Sequence, residues 1–315
     1  MAKEIPVYIF MGFLESGKTM FANDTLLEKK FTEGDKTLLL VCEEGVQEYD
    51  EEELKKNNIY MEVLEEADLE TEYLLNLQDK YSPEHVVIEY NGMWKLDKLF
   101  ETRVPKGWTV VQVITMVNAS TFPNYLINMR TIMMEQLSSA DMIIFNRCDE
   151  NTNKAECKKT VITVNQRASI IFENKNGDVE LDEVTLDLPY DIEADVIHIE
   201  DKDFGIFYID AADNPSKYIG KTVEFTGMVY KPKEYKGNAF VPGRFAMTCC
   251  IDDIAFIGFK CEFKKTNLLE DKEWVKVRAI VKSEFYPDFQ KDGPVLDAIK
   301  VKPTKAPKES IVYFN

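Results

Sequence analysis

The stretch Gly12-Phe13-Leu14-Glu15-Ser16-Gly17-Lys18-Thr19 constrains this chain more than any other, because a Gly, four residues and then Gly-Lys-Thr is the spacing of a phosphate-binding loop. Such a loop needs a strand before it and a helix after it. Ile5-Pro6-Val7-Tyr8-Ile9-Phe10-Met11 reads as a buried strand, and residues 20–29 carry apolar side chains at helical spacing. Gly12 and Gly17 let main-chain N–H groups turn inward around phosphate oxygens, while the first helical turn adds unpaired donors and the positive end of its dipole. Lys18 is then placed to reach the β and γ phosphates, and the Thr19 hydroxyl to ligate Mg2+. The bland alternative, a chance match in a loop, is disfavoured by the flanking strand and helix.

Residues 36–41 read as a second strand, delivering Cys42, Glu43, Gly45 and Tyr49 at its carboxyl end, where ligands gather in open α/β sheets. Glu43 could there face a metal or its bound water; a solvated acidic loop is the other reading, and residues 50–56 read as solvated. A helix over residues 67–80 stops at Ser82-Pro83. Residues 85–92 then form a buried strand ending in Glu89 and Gly92, the way a P-loop protein presents a metal-facing acid and a γ-phosphate-sensing turn. Further core strands at residues 109–117 and 141–145 flank a helix over residues 123–140, whose methionines read as core. The last strand runs into Asn146-Arg147-Cys148-Asp149. An Asp three residues after an Asn can accept N–H bonds from the 2-amino and N1 positions of guanine, and a site with buried polar partners rejects the wrong base.

The 315 residues suit roughly two domains, and the net charge of −18 is unevenly placed. From Asp195 onward 19 Lys and Arg balance 19 Asp and Glu, so the whole excess lies ahead of it. We therefore expect domains at residues 1–194 and 195–315. Six cysteines are too sparse for a disulfide framework, no run reaches the ~18 apolar residues of a membrane span, and the first residues lack a signal-peptide pattern. The expected location is the cytoplasm. Beyond Val196 the pattern becomes short alternating strands at residues 222–230, 244–249 and 273–282, which suggests a small β-rich Greek-key barrel such as an OB-fold. Its balanced charge offers little for a phosphate backbone, so no nucleic-acid partner is expected. Cys249 and Cys250, beside Asp252 and Asp253 and with Cys261 further on, could hold a soft metal; one of the pair must face inward in an alternating strand, and buried Cys is a common small hydrophobe.

In order, the Gly12 to Thr19 loop, Glu43 and Gly45, the turn from Glu89 to Gly92, the stretch from Gln136 to Asp141, the Asn146 to Asp149 tetrapeptide and Asn165-Gln166-Arg167-Ala168 resemble the CobW, HypB and UreG group of P-loop GTPases, nearest its CobW-like branch, over about residues 4–190. The resemblance implies an α/β P-loop NTPase fold with a mostly parallel sheet flanked by helices, Mg2+-dependent GTP binding, slow hydrolysis to GDP and phosphate, and nucleotide-switched contact with a partner or metal. It implies that Ser16, Gly17, Lys18, Thr19 and Met20 hold the phosphates or sugar side, that Thr19, Glu43 and Glu89 flank the Mg2+ and attacking water, and that Asn146 and Asp149 hold guanine. Gly12, Glu15, Gly92 and Arg147 complete the candidate nucleotide contacts.

Several positions depart from that pattern. Residues 61–68, where CobW-like proteins carry a Cys-x-Cys-Cys metal motif, contain no cysteine, so a thiolate site is not expected there. Cys42 replaces the usual Asn, Asn118 the usual Asp, and Arg147 the base-recognition Lys. In the second half, residues 243–253 with Gly220-Lys221 and residues 227–230 resemble the C-terminal domain of YcgQ-like proteins, accessory partners of permeases, over about residues 195–300. Three readings follow: a slow GTPase using Lys18, Glu43 and Glu89 and serving a metalloprotein client or a permease; a binding module governed by nucleotide occupancy; and a metal chaperone using Cys249 and Cys250.

Overall fold

The protein was studied as a computed structural model that describes residues 4–32, 34–43, 45–165, 167–179, 188–233, 235, 238–247, 254–286 and 291–313. These divide into two units, one of residues up to 154 with 168–183, the other of residues 155–167 with those from 184 on. The compositional break at 194/195 lies beyond this division, inside the second unit.

In the first unit the apolar runs become parallel strands because both of their faces are covered. They are β1 (Ile5–Met11), β2 (Thr37–Val41), β3 (Ile59–Val63), β4 (His85–Glu89), β5 (Trp108–Asn118), β6 (Met142–Cys148) and β7 (Ser169–Asn174), ordered β3-β2-β4-β1-β5-β6-β7. Helices α1 (Lys18–Leu27), α2 (Lys29–Thr32), α3 (Glu51–Lys56), α4 (Thr71–Tyr81), α5 (Leu96–Glu101), α6 (Phe122–Asn128) and α7 (Arg130–Ser139) connect them. Strand alternation sorts the core into two layers. Val7, Ile9, Leu38, Leu40, Val86 and Ile88 pack with Leu74 and Leu77 of α4, whereas Phe10, Leu39, Val41 and Val87 pack with Ala22 and Leu26 of α1. From β1 the chain winds first to one side and then to the other, which opens a crevice at the carboxyl end of β1.

One local reading is refined and another changes. The stretch read as solvated is exposed except at Leu54 and forms α3, because the Asp50 side chain accepts from the Glu52 and Glu53 N–H groups and caps it; the edge strand β3 follows. The single helix read over residues 123–140 is two, broken at Met129 (φ −137°, ψ 36°), whose backbone leaves the helical region.

The second unit holds α8 (Lys154–Val164), β8 (Val196–His198), α9 (Phe204–Asp213), β9 (Thr222–Tyr230), β10 (Ala239–Met247), β11 (Ile254–Gly258), β12 (Cys261–Glu262), β13 (Trp274–Tyr286), β14 (Lys291–Pro303) and β15 (Ile311–Tyr313). Five of these close on themselves: β9 pairs β10, β10 pairs β12, β12 pairs β14 in parallel, β14 pairs β13, and β13 returns to β9. Inward residues Val223, Phe225, Val229, Phe240, Val275, Val277, Ala279 and Leu296 fill this ring, and Phe204, Phe207 and Ala211 of α9 pack onto it. Arg244 is also buried there (1% exposed). Its guanidinium pairs with Asp201 at 2.5 Å, donates to the Thr226 carbonyl and stacks on Phe204 and Trp274, so the buried charge has partners on every side.

Phe207 makes ring contacts with Phe204, Tyr218, Phe225 and Phe259. Phe207→Ala is expected to cost about 3–5 kcal/mol through lost burial and the cavity left behind. Urea titration of the full chain should show one transition moving to lower denaturant while the other stays.

Candidate nucleotide-binding site

Met11 ends β1 and the chain turns at once through Gly12 (φ +140°) and Glu15 (φ +61°) to Gly17 (φ +97°), after which α1 begins. No side chain caps α1 and its first turn carries no acid, so its N–H donors stay open to an anion. A β-carbon on Gly12 would lie 2.3 Å from the Met116 carbonyl oxygen; one on Gly92 would lie 2.2 Å from the Gly12 carbonyl oxygen and 2.8 Å from Phe13 Cα. The loop, the β4 turn and β5 thus meet through bare backbone.

Lys18 is 3% exposed. Its Nζ donates to the Gly12 and Phe13 carbonyls at 2.8 and 3.0 Å and to Glu43 Oε2 at 2.6 Å, bridging loop and β2 end. Glu89 closes β4, opposite Phe10 of β1 and Val41 of β2. Its two oxygens accept from different elements: Oε1 from the Thr19 hydroxyl at 2.7 Å and Oε2 from the Tyr49 hydroxyl at 2.5 Å. Burial first, then the Glu89 charge, push the Tyr49 hydroxyl far above its usual range, so it stays a donor. The same two causes, with Glu43 adding to them, push the Cys42 thiol up to about 12. Cys42 therefore contributes a small apolar body behind the site rather than a thiolate.

On the other side, Asn146 at the end of β6 is buried, and its Nδ2 donates to the Ser16 carbonyl at 2.7 Å. Arg147, itself left-handed at φ +56°, donates to the Glu15 carbonyl at 3.0 Å. Asp149 is gripped by the Lys175 ammonium at 3.0 Å and by the Asn151 N–H, and the Lys175 bond, first among the causes, holds its carboxyl below the usual range. Gln136 on α7 donates to the Gly92 carbonyl at 2.9 Å. Ser16 Oγ, Gln136 Oε1 and Asn146 Oδ1 are buried and have no partner among the described residues.

Most of the candidates consequently converge, whereas Asp149 does not line the cleft. Glu15, Gly17, Lys18, Thr19, Glu43, Glu89 and Arg147 line one cleft of about 330 Å3 with Leu14, Gly45, Val46 and Gln47. Gly12, Ser16, Gly92 and Asn146 support its floor through the contacts above. Met20 is half-exposed and lines an adjoining depression with Asp24 and Asn146 instead. Cys249 and Cys250 lie outside the described residues. Cys261 is wholly buried in the barrel core with its thiol raised by burial, and no group of three His, Cys, Asp or Glu suited to a metal occurs among the described residues. Sequence reasoning gave no role to Tyr49 or Lys175, whose contacts span 40 and 26 residues of chain and carry no local signal.

Residues 6–172 match the CobW/HypB/UreG nucleotide-binding domain, with the loop, Glu89 and Asn146 all inside the matched span. The chain belongs to the CobW/HypB/UreG family. Residues 180–314 match the DUF1980 C-terminal domain. The UPF0703 protein YcgQ of Bacillus subtilis (strain 168) is 31% identical over 99 residues, which are 31% of this chain and 35% of that protein, so the chain spans about a third of the relative's length. Among solved structures, the Zn(II)-bound YjiA GTPase from E. coli is 22% identical over 57% of this chain and 60% of that one, with a TM-score of 0.43. The hydrogenase maturation factor HypB from Archaeoglobus fulgidus is 21% identical over 56% of this chain and 84% of that one, at 0.39. No helix among the described residues is long and apolar enough to cross a membrane.

For this CobW/HypB/UreG member, Gly92→Ala should force the β4 turn off the loop, since the clash is with backbone that cannot rotate away. Nucleotide affinity by calorimetry should fall more than about ten-fold, the value of one charged hydrogen bond.

Proposed function

We propose that this chain binds GTP with Mg2+ in the cleft at the end of β1 and hydrolyses it slowly, with nucleotide occupancy read out by the loop between Cys42 and Asp50. The observation that carries this is the Lys18 ammonium, buried at the loop and paired, among the described residues, with two loop carbonyls and the Glu43 carboxylate. A β- or γ-phosphate is the same kind of partner as Glu43, an anion that accepts from Nζ. Phosphate arrival therefore replaces one charge pair by another at little desolvation cost, and it frees Glu43. Tyr49, tied to Glu89, links the other end of that loop to the same event.

The donor set fits Mg2+. Thr19 Oγ1 and Glu89 Oε1 stand 2.7 Å apart, near the roughly 3 Å between adjacent oxygens of an octahedron with ~2.1 Å bonds, and hard oxygen donors suit that ion. When bound, Mg2+ would neutralise phosphate charge. The chain's own work is positioning: open N–H groups of the loop and α1 hold the phosphate oxygens, and Lys18 spans the β and γ groups. Glu43, once released, or Glu89 orients water for in-line attack; the water oxygen bonds phosphorus as the bond to the bridging oxygen breaks, and GDP leaves with those electrons. Among the described residues Lys18 and Arg147 are the cations that line the cleft, and Arg147 is held by the Glu15 carbonyl, so turnover is slow until a partner completes the site.

Base selection falls to Asn146 and Asp149. Asn146 fastens the loop to the β6 end, and Asp149, an ionised acceptor at neutral pH whose carboxyl Lys175 holds further below its usual range, suits guanine's N1 and 2-amino groups. In the second unit, the closed ring with its single parallel pair, β12–β14, supports an OB-like barrel. We read it as the arm that meets a client, a permease or metalloprotein; a metal-delivery role for Cys249 and Cys250 stands as the second reading of that arm.

Lys18→Ala should weaken GTP binding by roughly thirty-fold or more, the loss of a charge-assisted bond of about 2 kcal/mol; unchanged affinity by calorimetry would overturn the assignment. Asp149→Asn should erase the preference for GTP over ATP in a competition assay, because an amide cannot accept two N–H bonds at one edge.

A further inference from the structure

Residues 195–315 contain as many acids as bases, yet the bases are not spread evenly. In the antiparallel β13–β14 ladder Lys276 faces Lys302, and Arg278 faces Lys300. Residues directly opposite each other in such a ladder share a face, and like charges there destabilise the pairing. One carboxylate, Glu224 on β9, answers this square: Oε1 pairs Lys276 at 3.0 Å and Oε2 pairs Arg278 at 2.7 Å, with the exposed His198 ring 3.3 Å away. Lys300 and Lys302 are exposed and have no ion-pair partner among the described residues. Next to Lys300 the register slips between Arg278 and Ala279, so Ile299 bulges out of the ladder and stands 56% exposed.

Ile299 and Lys300 then form one wall of an open groove. Lys264, Lys265 and Leu268 form another, and Leu268 is 70% exposed. Lys264 and Lys265 are likewise without an ion-pair partner among the described residues. The groove's acids are Glu262 and Asp297, and Asp297 is already engaged by Lys282 at 2.6 Å. The surface therefore combines a cluster of cations with two protruding aliphatic side chains.

We propose that this face, Lys264, Lys265 and Lys300 with Leu268 and Ile299, docks the second unit onto the anionic surface of a phospholipid membrane. Each lysine near such a surface adds favourable interaction with the headgroups, and the aliphatic side chains have a place to go, the boundary between headgroups and acyl chains. A single-stranded nucleic acid fits less well, because base stacking needs exposed aromatic rings, and Phe263, the aromatic residue of this groove, packs against the barrel core. This inference is independent of nucleotide turnover, since none of its residues belongs to the cleft.

Flotation of the full chain with phosphatidylcholine vesicles, with and without phosphatidylglycerol, tests it. Binding is expected only to the phosphatidylglycerol vesicles, weakening as salt rises. The double variant Lys264→Ala, Lys265→Ala should reduce partitioning about thirty-fold, with GTP affinity and unfolding midpoint unchanged. Leu268→Ser with Ile299→Ser should weaken binding while leaving its salt dependence as it was. Equal partitioning onto neutral vesicles, no response to the lysine variant, or tighter binding to a single-stranded oligonucleotide than to the anionic vesicles would each overturn the proposal.

Discussion

An ammonium at 3% exposure has to be met by acceptors on all sides, and the first unit is arranged so that Lys18 is. Two acceptors come from its own loop and the third, Glu43, from the end of a strand not adjacent to β1. That meeting depends on sheet register. Val41 and Phe10 both lie opposite Glu89, so β2 and β4 finish level, one residue short of the end of β1, and these residues surround one point. A slip of one residue in β4 would turn Glu89 to the other layer, away from Thr19 and Tyr49. The core packing of both sheet faces is what holds the register, so it also fixes the chemistry at its edge.

Much of this was legible in the sequence because it is local. Glycine spacing marked the loop, unbroken apolar runs marked β1, β2, β4 and β6, and a carboxylate or amide at the end of a run marked Glu89 and Asn146. What escaped notice depends on contacts between distant segments. Tyr49 sits among acids and reads as part of a solvated loop until β4 places a carboxylate beside it. Lys175 meets Asp149 only because β7 lies beside β6. The strand β3 is a half-buried edge of mixed polarity, with Glu62 taking Lys80 and Tyr81 as partners, so no clean period announced it. Met129 broke a helix whose apolar spacing continued across the break.

The second unit teaches the converse point. Summed over residues 195–315 its charge is zero, which argued against any polyanion. Charge balance is a property of the list of residues, though, and recognition is a property of faces. Pairing β13 with β14 brings four cations together that are spread over 27 residues of sequence, from Lys276 to Lys302, while acids such as Asp210 are consumed inside, where Lys217, Asn214 and Tyr218 hold it. The departures from the family pattern are similarly absorbed by structure: Cys42 fills a buried position behind Glu43, and Arg147 reaches the Glu15 carbonyl.

The parallel contact that completes the ring has a temporal side. Cys261 of β12 meets Leu296 of β14, with the whole of β13 intervening, and β15 joins β10 across an even longer separation. On a ribosome the strands from β9 to β13 must wait as an open sheet, with apolar inner faces uncovered, until residue 296 has cleared the exit tunnel. The segment bearing Lys18 can pack long before that. Late closure of this kind slows folding and leaves an interval of exposure to aggregation, which the acidic first unit, already folded and strongly charged, would help to keep in solution.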